Sequence, residues 1–266
     1  MVAARPTLRT TRKQRAAPPE LLCERVFRPL AHLVVLALLP LRVPPPAVVL
    51  ASAATGLAAA VELARGDLLL AAVVLQLKTV LDNADGQLAR AAGKESLLGR
   101  YLDSESDLLV NAALFAALGH LTDSPWLALV SFCALTLVLG VNFNLERLYR
   151  REHGDPRAAA PVATGLAGVL GRIYTVVYGP QDRLVEAFVE WRLRRLGATP
   201  AQRLAYHDRA TLAVVANFGL STQLAALGAC LALGAPEAYL WIAIGCALAL
   251  VPLEARRELR VRTYDG

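Results

Sequence analysis

Long apolar runs constrain this chain more than any other feature. Six stretches, at about 46–64, 67–91, 96–120, 125–148, 211–233 and 236–254, come close to or exceed the roughly 20 apolar residues a helix needs to cross a bilayer core. The composition agrees: 56% of residues are apolar and 19% charged, against about 25% charged in soluble domains, and the mean hydropathy is +0.44. The expected fold is therefore all-α: a polytopic membrane protein with six transmembrane helices. The net charge of +6 could suggest a nucleic-acid partner. Placed segment by segment, the charge describes membrane topology instead, and no nucleic acid is expected.

The flanking segments complete that picture. Residues 1–19 are basic, with Arg5, Arg9, Arg12, Lys13 and Arg15 ahead of Pro18-Pro19, and read as a disordered tail. Arg28 and His32 interrupt the apolar run that follows, and no small-residue cleavage site comes after it, so a cleaved signal peptide is not expected. Residues 20–42 suit an amphipathic helix lying on the cytoplasmic surface, arginines toward anionic headgroups, with a true span as the rival. Pro44-Pro45-Pro46 then stops any helix. With six spans and both termini inside, Arg65 is the only one of 28 Lys and Arg residues in an external loop, and this bias favours six spans over seven.

The expected organisation is one membrane domain over residues 20–254, with a basic cytoplasmic tail at 255–266. An inner segment, 149–210, separates the fourth and fifth spans. Residues 161–178 carry Gly165, Gly168, Gly171 and Arg172, too polar and glycine-rich for a span. In 181–196, Leu184, Phe188 and Trp191 share a face opposite Arg183, Glu186, Glu190 and Arg194, as in a second surface helix. Gly219, Gly228 and Gly234 would allow close helix contact, and a homodimer interface on the last two spans is one expectation. Cys23, Cys133, Cys230 and Cys246 lack metal-site spacing and read as small buried hydrophobes. The four histidines are scattered and carry no assigned chemistry.

Against this apolar background the stretch DNADGQLARAAGKESLLGRYLDSESD, residues 82–107, stands out. Ionisable groups inside membrane helices are costly, which marks them as functional candidates. Asp82 and Asp85 are three apart and share one face of the second span; Asp103 and Asp107 are four apart and share one face of the third. The turn near Ala92–Glu95 makes the two helices antiparallel neighbours, so the carboxylate faces converge. Four converging carboxylates repel unless neutralised. Hard divalent ions such as Mg²⁺ or Mn²⁺ suit oxygen ligands. Two such ions about 3.5–4 Å apart form a clamp for displacement at phosphorus. Gly86 and Ala89 leave room for a ligand, Arg90 offers a fork to phosphate, and Gly99 permits close approach. Lys78, one turn before Asp82, either faces a phosphate or balances the acidic cluster. Glu105 turns away from Asp103 and Asp107, and Asn83 and Ser104 read as neighbours only.

The stretch resembles the signature of the CDP-alcohol phosphotransferases, DxxDGxxARx(8)GxxxDxxxD, at every fixed position: Asp82, Asp85, Gly86, Ala89, Arg90, Gly99, Asp103 and Asp107. A surface helix followed by six spans resembles that family too. The resemblance implies transfer of a phosphoalcohol, here a phosphatidyl group from CDP-diacylglycerol, to a polar alcohol in phospholipid synthesis, with release of CMP. It implies two Mg²⁺ or Mn²⁺ ions, with Asp82, Asp85 and Asp103 as main ligands. Asp107 would act as general base while touching the second metal. Gly86, Ala89, Arg90 and Gly99 would line the CDP site. The expected location is a bacterial cytoplasmic membrane, with the active site facing the cytoplasm.

The chain departs from the family at PNxxT, where Asn and Thr are replaced by Pro46 and Val49. This leaves open a soluble CDP-alcohol as donor. It also leaves open a homologue that binds nucleotide without turnover, although the intact Asp107 argues against that. A divalent-cation transporter is a rival from another class, but it gives Gly86 and Arg90 no role. Arg147, Arg150, Arg151 and Arg157 could bind an anionic acceptor, though such a run more often sets topology or meets headgroups. Asn142 and Asn144 could line an acceptor cavity or join helices.

Overall fold

The computed structural model describes residues 6–11, 18–155 and 165–264; among these the regular structure is helical, with no strand. A π-helical turn, Cys23–Phe27, leads into α1 (Arg28–Leu38). α2 (Pro45–Ala64) begins at the triple proline. Pro44 is extended there, and Pro45 and Pro46 take the first helical positions, where a missing N–H leaves no bond unmade. Asp67 caps α3 (Leu68–Ala91), its carboxylate accepting from the Leu70 N–H at 3.1 Å. Gly93, at φ +62°, turns the chain back after α3, and Ser96 caps α4 (Leu97–Leu121). Pro125 opens α5 (Pro125–Glu152).

The inner segment folds as α6 (Gly165–Val177), α7 (Gly179–Arg195) and α8 (Pro200–Tyr206). Then come α9 (Arg209–Ala216), α10 (Leu220–Ala232), α11 (Pro236–Leu248) and α12 (Leu250–Arg262).

α2 lies against both α3 and α4, α10 runs beside α3, and α11 runs beside α5. Their contact forms the main core, with Leu63, Leu75, Leu114, Leu118, Leu135 and Leu231 all buried. A second cluster at the other end joins α5, α7, α8, α9 and α12 through Leu148, Leu193, Tyr206 and Val261. A third, Ala31, Val35, Val48, Ala84 and Leu88, fastens α1 to α2 and α3. This third contact matters for the site, because it fixes the half of α3 that carries Asp82 and Asp85.

Among the described residues, four helical stretches are long and apolar enough to cross a membrane: Pro45–Ala64, Pro125–Glu152, Pro200–Ala232 and Pro236–Arg262. They mark the chain as an integral membrane protein. α3 and α4 are as long, but charged residues interrupt their apolar character: Lys78, Asp82 and Asp85 in one, Arg100, Asp103 and Asp107 in the other.

Several details differ from the sequence expectation. The run at 211–233 is broken at Asn217–Gly219, where Glu20 and Leu21 dock. There the Asn217 side-chain oxygen accepts from the Leu21 N–H at 3.0 Å, and the Glu20 carboxylate accepts from the Thr222 N–H and hydroxyl, each at 2.5 Å. An anion at the first turn of α10 complements its dipole. Gly219 leaves room for Glu20 and Gly228 for Gln76, so both glycines already serve contacts within the chain. Residues 255–262 of the basic C-terminal segment form the end of α12, with Arg257 buried against Tyr206 and Glu254. The N-terminal tail is ordered in part: residues 8–11 form a turn, and Thr11 is buried. Residues 1–5 and 12–17 of that expected tail, and Arg157, lie outside the described residues. Cys230 is buried as expected, while Cys133 faces outward.

α7 shows how its faces are used. Leu184, Phe188 and Trp191 are exposed, while Glu186 meets Arg147 and Arg151, and Glu190 meets Arg203. The helix buries Val189 and Leu193 against the protein beside those glutamates, while Leu184, Phe188 and Trp191 face outward together with Arg183 and Arg194. Arg147 and Arg151 are thus held in ion pairs with Glu186, and Arg150 with Glu146 and Asp155. These pairs bind α5 to the inner segment.

Candidate active site

The antiparallel arrangement of α3 and α4 brings the carboxylates together. One oxygen from each of Asp82, Asp85 and Asp103 lies within 4.8 Å of the others. Asp85 is buried, and its Oδ2 has no hydrogen-bond partner. A buried carboxylate oxygen without a donor is costly unless a cation satisfies it. Three hard oxygen donors, one of them orphaned, fit a divalent cation of the Mg²⁺ or Mn²⁺ type.

Asp107 stands one turn beyond Asp103, beside this trio. Its Oδ1 accepts from the Lys78 ammonium at 2.5 Å, and the same ammonium lies 2.8 Å from Asp82 Oδ1. Ser52, buried on α2, lies with its hydroxyl 3.5 Å from Asp82 Oδ1 and 3.3 Å from the Lys78 carbonyl oxygen. Lys78 therefore reaches both pairs of aspartates. Of the two roles the sequence allowed it, the geometry shows ion pairing.

All eight residues of the signature line one cavity of about 1250 Å³. Besides the four aspartates, its lining carries Arg9, Arg28, Arg90, Lys94, Arg100 and Arg209, together with Glu20, Glu24 and Glu95. Gly86 has a local reason to lack a side chain: a Cβ there would sit 3.2 Å from the Arg90 guanidinium, which folds back over it. Gly99 donates its N–H to Ser96 Oγ at 3.0 Å, within the cap that starts α4. Ala89 reaches the cavity on the same face of α3 as Asp82 and Asp85. Pro46 and Val49, which replace the expected Asn and Thr, line the same cavity and give it an apolar wall.

The remaining expectations divide. Asn142 lines the cavity. Asn144 is buried away from it and donates to Gly140 O at 2.9 Å and Asp182 Oδ1 at 2.7 Å, fastening α7 to α5. Glu105 and Ser104 are outside the carboxylate trio; the Ser104 carbonyl accepts from the Tyr178 hydroxyl at 3.1 Å. Asn83 donates to Ser221 Oγ at 3.2 Å, linking α3 to α10 beside the cavity.

The N-terminal turn is the part of the site that sequence reasoning missed. Arg90 Nε donates to Thr11 O at 2.7 Å, and Thr11 Oγ1 donates to Gln87 at 3.3 Å. Gln87 in turn donates to Arg28 O at 3.1 Å, and Arg28 donates to Leu8 O. A basic, proline-containing tail gives no periodic signal. Ser52 was also missed, because a serine in an apolar helix reads as a small filler.

Residues 34–193, more than half of the chain, match the CDP-alcohol phosphatidyltransferase family. A stretch of 100 residues is 34% identical to the "Bifunctional IPC transferase and DIPP synthase" of Thermococcus kodakarensis. That stretch covers 37% of this chain and 23% of the relative, so the chain spans well under two thirds of that protein's length. No solved structure gives a significant match. The family match runs from α1 through the carboxylate hairpin of α3 and α4 to α7, and it includes all eight signature residues that line the cavity. The chain thus belongs to the CDP-alcohol phosphatidyltransferase family.

Proposed function

We propose that this protein transfers a phosphatidyl group from CDP-diacylglycerol to a polar alcohol and releases CMP, as a step of phospholipid synthesis. The observation that carries this reading is the convergence of Asp82, Asp85 and Asp103 in one cavity with Asp107 beside them. A cavity with Arg90, Lys94 and Arg100 beside the carboxylates and an apolar wall at Pro46 and Val49 suits a donor that joins a pyrophosphate to lipid chains.

In this reading Asp82, Asp85 and Asp103 hold a divalent cation, which would neutralise charge on the pyrophosphate and on the leaving CMP. Arg90 meets the donor phosphates as a planar fork. Gly86, Ala89 and Gly99 let the nucleotide lie close to α3 and α4. Asp107 takes the proton of the acceptor hydroxyl on Oδ2, since Lys78 engages Oδ1. The alcohol oxygen attacks the phosphorus that bears the diacylglycerol. A new P–O bond forms, the pyrophosphate P–O bond breaks, and CMP departs.

The same reading places six spans in the bilayer: α2, α3, α4, α5, the α9–α10 pair and the start of the α11–α12 pair. The Cys23–Leu38 segment and α7 then lie on the cytoplasmic surface, and the membrane is the cytoplasmic membrane of a bacterium. Two features support this arrangement. The turn at Gly66 lies against Leu121, so the α2–α3 and α4–α5 turns are together, at the end away from the carboxylates. Trp126 and Trp241 are exposed toward that same end, where indole rings favour the headgroup level.

The test is CMP release by the purified protein in nanodiscs, with Mg²⁺ or Mn²⁺ and a panel of polar acceptors. CDP-diacylglycerol is expected to support acceptor-dependent release that Asp107→Asn abolishes. Release with soluble CDP-alcohols alone would replace the lipid donor by a soluble one. No release with any donor would overturn both.

A further inference from the structure

We infer that the Lys78 ammonium occupies the second cation position of this site, so that the chain binds one divalent ion, at Asp82, Asp85 and Asp103, rather than two. This rests on the metal-dependent transferase reading above and deepens it.

A second ion in a two-ion clamp would have to sit between Asp82 and Asp107, because Asp82, Asp85 and Asp103 already converge on the first. That space is filled. Lys78 Nζ is 2.8 Å from Asp82 Oδ1 and 2.5 Å from Asp107 Oδ1. An ion bonded to the same two oxygens, at about 2.0–2.1 Å, would overlap the nitrogen. The ammonium and a second ion therefore exclude one another. Asp82 has two oxygens and can serve the ammonium and the first ion together.

Nor has the lysine an easy way out. Lys78 is only 1% exposed, and its stem lies beside Gly56 of α2, which also faces Val110 of α4. A Cβ at Gly56 would come within 2.5 Å of Val110 Cγ1 and 3.2 Å of Lys78 Cγ, so the stem has little slack on that side. An ammonium pushed off its carboxylates would be a buried charge without a partner, at a cost of several kcal/mol. The chain has thus built one cation of the clamp into its own covalent structure. Lys78 is a positioning residue: it holds Asp107 in place whether or not the ion is bound.

The experiment is Mn²⁺ binding to the purified full chain in detergent, without nucleotide, by calorimetric titration and by Mn²⁺ EPR. The wild-type chain is expected to bind one ion and to show a spectrum without spin–spin broadening. Lys78→Met keeps the stem and removes the charge; it is expected to take up a second ion, with broadening from a close pair. Asp107→Asn is expected to retain one ion with a loss of affinity of no more than about 10–100-fold, because Asp107 bonds the lysine and not the metal. Two ions on the wild-type chain, or one ion on a folded Lys78→Met, overturn the inference. If Lys78→Met does not fold, the wild-type count and Asp107→Asn decide, and loss of the ion in Asp107→Asn overturns it. CMP release separates this from the functional reading. An active chain with two ions ends this inference and leaves the transferase standing. A chain with one ion that releases no CMP with any donor does the reverse.

Discussion

Asp85 is the carboxylate whose environment says most. It is buried, its Oδ2 is unpartnered, and it faces Asp82 and Asp103. Asp85→Asn should therefore weaken Mn²⁺ binding by more than the roughly 10–100-fold that loss of an outer partner costs, measured by calorimetric titration. Asp107 is set apart by its lysine. Asp107→Asn should lower kcat by about 10²–10⁴-fold, the usual worth of a general base, with KM for the donor little changed. Gly86 makes a subtler case, since its missing side chain serves Arg90. Gly86→Ala should displace that guanidinium and raise the donor KM while leaving Mn²⁺ affinity intact. These residues were legible in the sequence because their spacing matches helical geometry. Ser52 was not, because nothing in its own neighbourhood reveals that α2 will bring it to Asp82.

At the scale of elements, the close approach of α2 to α4 is the contact to test. It depends on Gly56, beneath which lie Val110 and the Lys78 stem. In lipid, association rests on packing rather than on exclusion of water, so small residues at such crossings carry much of the contact. Gly56→Ala should destabilise the bundle by about 1–3 kcal/mol through overpacking, seen as a lower midpoint of thermal unfolding in detergent. α7 offers a pH test. The Arg203 guanidinium, hydrogen-bonded to Glu190, holds that carboxyl below its ordinary range. A depressed pKa means that the contact is fully present above the ordinary glutamate pKa and fades as the pH falls through the folded value. Trp191 fluorescence should follow that loss on acidification, and Glu190→Gln should remove the pH dependence. The amphipathic pattern of α7 was clear in the sequence, but which face would meet the protein was not. The partners of Glu186 and Glu190 lie on α5 and α8, distant in the chain.

For the molecule as a whole, orientation is the prediction that ties the site to its substrates. The Gly66 turn should be external and the Glu95 turn cytoplasmic. In a background without native cysteines, Asp67→Cys should react with an impermeant maleimide in intact cells, and Glu95→Cys should react only after lysis. The opposite pattern would put the carboxylates on the wrong side for a cytoplasmic nucleotide. The hairpin of α3 and α4 anchors this layout. Its charged ends keep it out of a simple hydropathy count, yet α2 and α10 enclose it.

Local chemistry in the sequence was sufficient for the helices, the proline and glycine breaks between them, and the carboxylate signature. Those properties depend on residues within a turn or two of one another. Long-range contact decided the rest. The break in the fifth apolar run follows from Glu20 and Leu21 docking on α10, some 200 residues away and invisible to periodicity. The ordered turn over Arg90 follows from Thr11 finding α3. The division of four aspartates into three that converge and one held by Lys78 follows from how α2, α3 and α4 cross. Spacing along a helix sets which face a carboxylate takes, and only the packing of three helices sets which cation it meets there.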